Sequence, residues 1–395
     1  MKRRIGLIGS GTAALQLAYA LKDVHEVTIV HAQDHDEVLR GRVRSTQVHF
    51  GPARARERRL GMPEVGEAPS INFIHFSLGS QKLFAGALAE PASSVDQRLF
   101  YSIAMKELAE DGVIFRKQRA QREELDALAA EFELLIDATG KSGPIAPFEV
   151  DEELSTVNAP LRKCAVGYFQ GVAPVQPGGV SITVLPGVGE MFEIPTLTEH
   201  GPSTILFVEA VPDGELDVFR GVKSAAAFTE QMANVVALNC PEILSRIDLE
   251  QFALVDEEAY LLTAITPAAY RPYVTVGDGT LVLGCGDNVL LNDPITGQGC
   301  NTASYMAEQL VQTLEDYRDK EWTEELGAEY WERTRPYAEA VTGWTNAMMS
   351  PLPAHVGQML MQAAGNQAAA DCIAAWFSNP ALGYEAFYPG KAAST

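Results

Sequence analysis

Arg3-Arg4-Ile5-Gly6-Leu7-Ile8, Gly9-Ser10-Gly11-Thr12-Ala13-Ala14 and Leu15-Gln16-Leu17-Ala18-Tyr19-Ala20-Leu21 follow one another at the start of the chain. They read as a strand, a glycine turn and a helix, which is the dinucleotide fingerprint in its required context. Gly9 permits the tight turn, Gly11 lets a pyrophosphate approach the backbone, and Ala14 allows the helix to pack closely on the strand. Thr12 and Ala13 lie at the helix N-terminus, where free N–H groups and a partial positive charge favour phosphate. A second strand, Glu26-Val27-Thr28-Ile29-Val30, completes the βαβ start.

The chain has 395 residues, more than one typical core holds, so intertwined domains are expected. No apolar run is long enough to span a bilayer. Lys2, Arg3 and Arg4 before an apolar stretch imitate a signal peptide, but the glycine turn breaks that stretch, so targeting is rejected. The five cysteines (Cys164, Cys240, Cys285, Cys300, Cys372) are scattered and contain no C-x-x-C, which suggests neither a metal site nor disulfides and points to a reducing cytoplasm. A net charge of −22 repels nucleic acid and anionic membranes and suits a neutral substrate. Against that background Arg40, Arg42, Arg44, Arg54, Arg56, Arg58 and Arg59 cluster beyond the second strand, either as a solvated charge run or as a positive rim for a phosphate-bearing cofactor.

Periodicity predicts short strands near Thr46–Phe50, Asn72–Phe76 and Lys82–Phe84, and a helix from Val95 to Asp111. From Leu161 to Glu209, alternating turn-separated strands predict an antiparallel sheet. Leu281-Val282-Leu283-Gly284 reads as a buried strand returning to the first sheet, and the chain beyond Gly299 is mostly helical. The fold class is therefore mixed α/β. This interleaved layout resembles that of the FAD-dependent aromatic hydroxylases, which implies a discontinuous FAD-binding domain over 1–160 and 268–320, with substrate-wall insertions at 40–92. An antiparallel-sheet substrate domain spans 161–267, and a helical C-terminal region spans 321–395.

A second flavin element follows the returning strand. Asp287, after the turn Gly284-Cys285-Gly286, is placed to bind ribityl hydroxyls. Pro294 stiffens Asp293-Pro294-Ile295-Thr296-Gly297-Gln298-Gly299-Cys300-Asn301, and Gly297 and Gly299 let backbone lie against a flat ring. The helix beginning near Gly299 would favour an anionic reduced isoalloxazine.

With these two loops, Ser94-Val95-Asp96-Gln97-Arg98-Leu99-Phe100, Gly189-Glu190-Met191-Phe192-Glu193-Ile194-Pro195-Thr196-Leu197 and Gly343-Trp344-Thr345-Asn346, the chain resembles the styrene and indole monooxygenases. The resemblance implies an aromatic-hydroxylase-like fold and FAD taken up in reduced form as a diffusible substrate from an NAD(P)H-dependent flavin reductase. It implies that a flavin C4a-hydroperoxide formed with O2 carries the chemistry, with no acid–base side chain required. The substrate would be a small neutral aromatic alkene, indole- or styrene-like, which is epoxidised; sulfoxidation of a thioether is the same chemistry, and a homodimer is among the expectations. Arg98, Gln298 and Asn301 join the cofactor residues on the same ground. The pocket wall is carried over onto Ser45, Thr46, Gln47, His49, Phe73, His75, Ala92, Ile194 and Pro195. Ser45, Gln47 and Ala92 lean to the indole branch, and His49 and His75 to the styrene branch.

Two departures bear on the reductant. No other G-x-G-x-x-G/A occurs, and a strand over Glu133-Leu134-Leu135-Ile136-Asp137-Ala138 runs into Thr139-Gly140-Lys141 without the Asp-Gly pair and Arg of single-component hydroxylases. His31 stands where tight binders carry a ribose-binding acid and Asp34 comes late, so weak, exchangeable FAD binding is expected. The alternatives are a single-component NAD(P)H-dependent aromatic hydroxylase, a flavin halogenase, whose Trp-x-Trp-x-Ile-Pro motif is missing, and a non-catalytic flavin-binding protein.

Overall fold

The computed structural model describes residues 2–390. Strand β1 (Arg4–Ile8) enters helix α1 (Thr12–Leu21), and β2 (Glu26–His31) pairs parallel to β1. Nine of the ten α1 residues are buried, because the helix is covered by the sheet on one side and by later helices on the others. That explains its small, apolar composition.

A hairpin of β3 (Ser70–Leu78) and β4 (Gln81–Ser93) leads to α2 (Gln97–Glu110), β5 (Ile114–Lys117) and β6 (Leu134–Asp137). The middle of the chain holds β7 (Lys163–Gln170), β8 (Gly179–Leu185), β9 (Gly189–Thr198), β10 (Gly201–Ala210), α3 (Ala225–Asn239), β11 (Ala253–Leu254) and β12 (Tyr260–Ala264). Strands β13 (Tyr273–Val276) and β14 (Thr280–Gly284) return to the first sheet. Helices α4 (Gly299–Asp316), α5 (Glu324–Met348), α6 (Ala354–Ala363), α7 (Gln367–Ser378) and α8 (Pro380–Phe387) complete the described chain.

The first sheet has six strands in the order β13-β14-β6-β1-β2-β5, parallel except for the β13–β14 pair. The second has eight, ordered β11-β7-β10-β9-β8-β3-β4 with β12 also on β7. Within it β3 lies parallel to β8, Phe73 opposite Gly179, so a segment from before α2 is built into a sheet otherwise formed after residue 160. The hairpin strands are longer than the sequence pattern suggests, nine and thirteen residues, because this pairing satisfies their backbone groups along their length. The strand expected at Thr46–Phe50 is reduced to one bridge, His49 to Ser93. Phe50 instead caps a helix over Gly51–Arg59 with proline in its first turn, where a missing N–H costs nothing.

Among the described residues no helix is long and apolar enough to cross a membrane.

Candidate active site

The β1–α1 turn has the backbone its glycines predict. Gly9 adopts φ +114°, and a Cβ there would lie 2.3 Å from the Ala138 carbonyl oxygen. A Cβ on Gly11 would meet nothing within 4 Å, because that position faces an open cleft of about 400 Å³. Gly9, Gly11, Thr12 and Ala13 line the cleft, and so do Gly286, Asp287, Gly299 and Cys300 from the far end of the chain. The two glycine loops therefore meet in one groove. Ala14 lies behind it, fully buried in the core.

The cleft is the basic exception on an acidic protein: Arg42, Arg44, Arg98, Arg119 and Lys141 line it, against Asp287 as the acid. Arg42 pairs with Glu258 and Arg98 with Asp96 and Asp256, while no ion pair engages Arg44, Arg119 or Lys141 among the described residues. Arg98 also donates to the Gly41 carbonyl and so clasps three segments together. The arginine cluster divides. Arg42 and Arg44 face the cleft, whereas Arg56 and Arg59 pair with Glu308 and Arg54 donates to the Pro91 carbonyl. Burial raises the Asp287 carboxyl to about 6 despite nearby Lys141, and burial lowers the Lys141 ammonium, which donates to the Arg44 carbonyl at 2.8 Å.

Neither residue at the ribose position is free. Asp34 caps the helix over His35–Leu39 and pairs with Lys117, and His31 is buried with Nδ1 against the Gln33 carbonyl.

An apolar pocket of about 110 Å³ opens beside the cleft and shares Arg44, Ser45, Lys141, Asp287, Gly299 and Cys300 with it. Its lining includes Ser45, Thr46, Ile194, Pro294 and Gly297 from the sequence-predicted set, with Val48, Phe50, Ile74, Ile182, Phe192, Asn292 and Phe377. Gly297 takes the left-handed conformation, φ +64°, at the end of the Pro294–Thr296 turn. Asn292 Oδ1 is a buried acceptor with no donor among the described residues.

Several expected wall residues are elsewhere. Strand alternation turns Ile74, not Phe73 or His75, into the pocket. His75 donates Nε2–H to the Pro177 carbonyl at 2.7 Å, and burial lowers its pKa. Ala92 is fully buried opposite Ile71, and Pro195 alternates away from Ile194. Gln298 and Asn301 brace the loop: Gln298 Nε2 donates to the Thr296 and Phe377 carbonyls, and Asn301 bridges Phe50 N–H and the Val48 carbonyl.

His49 stands one layer behind the cleft. Burial opposes its charge, but the Glu57 carboxylate prevails and holds the imidazolium well above its usual range. Both ring nitrogens then donate, Nδ1 to Glu57 and Nε2 to Gln47 Oε1 at 2.9 Å. That fixes the Gln47 amide so that its NH2 donates to Tyr101 Oη and to Thr12 Oγ1, 3.3 Å away, and Tyr101 Oη lies 2.7 Å from Thr12 Oγ1. Gln47 thus lines the cleft with its amide committed to the cofactor turn.

A second buried polar group anchors the other loop. Asp293 Oδ1 accepts the Ile295 N–H at 3.1 Å. Its carboxyl faces that of Glu209, which is wholly buried with no donor reaching it from another residue. Burial raises both, Asp293 to about 6 and Glu209 well above the carboxylate range, so Glu209 keeps its proton and donates it to Asp293. Beside them Arg162 grips Glu190 with two bonds of 2.7 and 3.0 Å. Glu190 and Glu209 are cross-strand partners on β9 and β10. Sequence reading missed this cluster, Lys141 as a lining residue, and Phe377. A returning C-terminal helix has no local signal for what it covers; the acids Glu190 and Glu209 within the predicted antiparallel sheet are the one available sign.

The family description "Styrene monooxygenase A putative substrate binding domain" matches residues 140–246. A Pseudomonas styrene monooxygenase StyA is 33% identical over 371 residues, 90% of this chain and 87% of that protein. The Pseudomonas fluorescens StyA is 32% identical over the same shares. In three dimensions the chain is similar to the flavin-dependent brominase Bmp2 (TM-score 0.69, 15% identity, 99% and 96% of the two chains). It is also similar to PqsL, a probable FAD-dependent monooxygenase from Pseudomonas aeruginosa (TM-score 0.64, 14% identity, 92% and 99%). At such identities these two similarities speak for the fold alone.

Proposed function

Because the chain belongs to the styrene monooxygenase family, we propose that it is the oxygenase of a two-component system, taking reduced FAD from a separate NAD(P)H-dependent flavin reductase to epoxidise a small neutral aromatic alkene. The observation that carries this reading is the shared border between cleft and pocket, where six residues face both. A cofactor laid along the first would present its ring to a substrate in the second.

The residues fit FAD. The open face at Gly11 and the N–H groups of Thr12 and Ala13 suit a diphosphate, and Arg44, Arg119 and Lys141 supply charge without competing carboxylates. Asp287 suits ribityl hydroxyls, and the start of α4 at Gly299 brings positive dipole to the ring edge. When bound, reduced FAD would supply the two electrons that activate dioxygen, one oxygen atom of which goes to the alkene and the other to water. The chain holds the alkene against the ring with Thr46, Ile74, Ile194 and Phe377, excludes water by the apolar wall, and fixes both cofactor loops through Gln47 and Asp293. The positions where an acid would hold the adenosine ribose are occupied by internal contacts, which supports exchangeable FAD. The apolar lining suits an indole-like alkene as it does a styrene, and a thioether would react at the same place.

The test is a single turnover. Protein and photoreduced FAD are mixed anaerobically with styrene or indole, air is admitted, and products are quantified. Oxygenated product in proportion to FAD is expected. Its absence would overturn the assignment, and NADPH consumption without a reductase would favour a single-component hydroxylase.

A further inference from the structure

The pocket beside the cleft is small. Ligand pockets usually measure roughly 300–1,000 Å³, and this one holds about 110 Å³. Behind it lies a second cavity of about 660 Å³. Ile74, Ile182, Phe192, Ile295 and Phe377 line both, forming a thin apolar partition. The FAD cleft shares no lining residue with the second cavity, so the two approach the reaction pocket through different walls.

The second cavity's chemistry limits what it can hold. Its walls come from the β3, β8 and β9 strands and from α5 to α8, with Trp344 and Trp376 among them. Arg162 and Glu190 are its ionisable lining groups, and they neutralise each other in a bidentate pair. No unpaired charge is left for an anion such as a flavin or nicotinamide nucleotide. Its exposed lining residues include Pro186 on the β8–β9 turn and Leu352 on the α5–α6 linker, the latter 43% exposed.

The geometry points to this cavity as the holding site and access route of the neutral aromatic substrate, which enters past Leu352 and reaches the reaction pocket by side-chain rotation at Phe192 and Phe377. The inference rests on the proposed oxygenase reading. Its consequence is that substrate and FAD load by separate routes, so neither must wait for the other to leave.

Two measurements test it. In FAD-free protein, bromobenzene, a neutral aromatic heavy-atom quencher, should quench tryptophan fluorescence saturably. Styrene should compete, and W376F should lose a large part of the quenched signal. In turnover, Leu352→Trp should lower kcat/KM for styrene at least fivefold with kcat at saturation unchanged. Leu382→Trp, an equally exposed site on α8 outside the cavity lining, should match wild type. Linear, purely collisional quenching would overturn the proposal, as would an L352W kcat/KM equal to that of L382W. Bromobenzene binding needs neither FAD nor oxygen, so its failure is distinct from a failure of the wild-type enzyme to oxygenate.

Discussion

Removing Arg162 should expose the energetics that hold the flavin loop to the substrate sheet. Its guanidinium is 8% exposed and lies among three buried carboxyls: Glu190, Glu209 and Asp293. Arg162→Met keeps the length of the side chain and deletes its charge, leaving Glu190 buried without its partner. Breaking a buried pair from one side costs about 3–5 kcal/mol. For a urea m-value of about 3 kcal/mol/M, that lowers the unfolding midpoint by about 1–1.7 M. The cost depends on pH in a defined direction. Asp293 and Glu209 already hold their protons to higher pH than in the unfolded chain, and without the Arg162 charge they hold them higher still. The native state then binds more protons than the unfolded state above about pH 4, so the variant loses stability as pH rises through the native values. Urea unfolding of FAD-free protein from pH 5.0 to 7.5 should show the gap from wild type widening with pH. Replacing Glu190 as well, in R162M/E190L, should recover most of it at pH 7.5, because an apolar pair leaves no orphaned charge. A gap below about 1 kcal/mol, parallel across pH, would refute the electrostatic account.

Gly11→Val should leave stability unchanged, since a Cβ there meets nothing within 4 Å, yet weaken FAD binding more than tenfold by fluorescence titration, since the added atoms project into the cleft. Purified oxidised protein should retain little FAD through gel filtration, as no acid is free at the end of β2 to hold the ribose. Glu57→Gln removes the charge that keeps His49 protonated. His49 is raised in the native state, so its contribution is full below the unfolded histidine value and fades as pH rises through the native one; the variant should be about 1–3 kcal/mol less stable at pH 6 and closer to wild type at alkaline pH.

The features legible in the sequence are those whose geometry is set by neighbours along the chain. Gly9 and Gly11 encode a turn within a few residues, and Asp293-Pro294 with Gly297 encodes another. Each needs only its own dihedral freedom and the helix that follows. The side chains lining the pocket are set differently. On β3, period-two alternation makes Ile74 a wall residue and sends His75 to the Pro177 carbonyl, and that choice is made by the pairing of β3 with β8, about a hundred residues away. Gln47 looked like a substrate ligand until Glu57 and His49, in three dimensions, directed its amide to Thr12. Glu209, Asp293 and Arg162 are unremarkable apart and form one proton-sharing cluster when three distant segments converge. Local backbone chemistry thus marked the two loops of a dinucleotide cradle, and the resemblance to the styrene and indole monooxygenases added the oxygenase chemistry. Strand register and helix return, which depend on contacts the chain makes only once folded, decided what surrounds the reacting atoms.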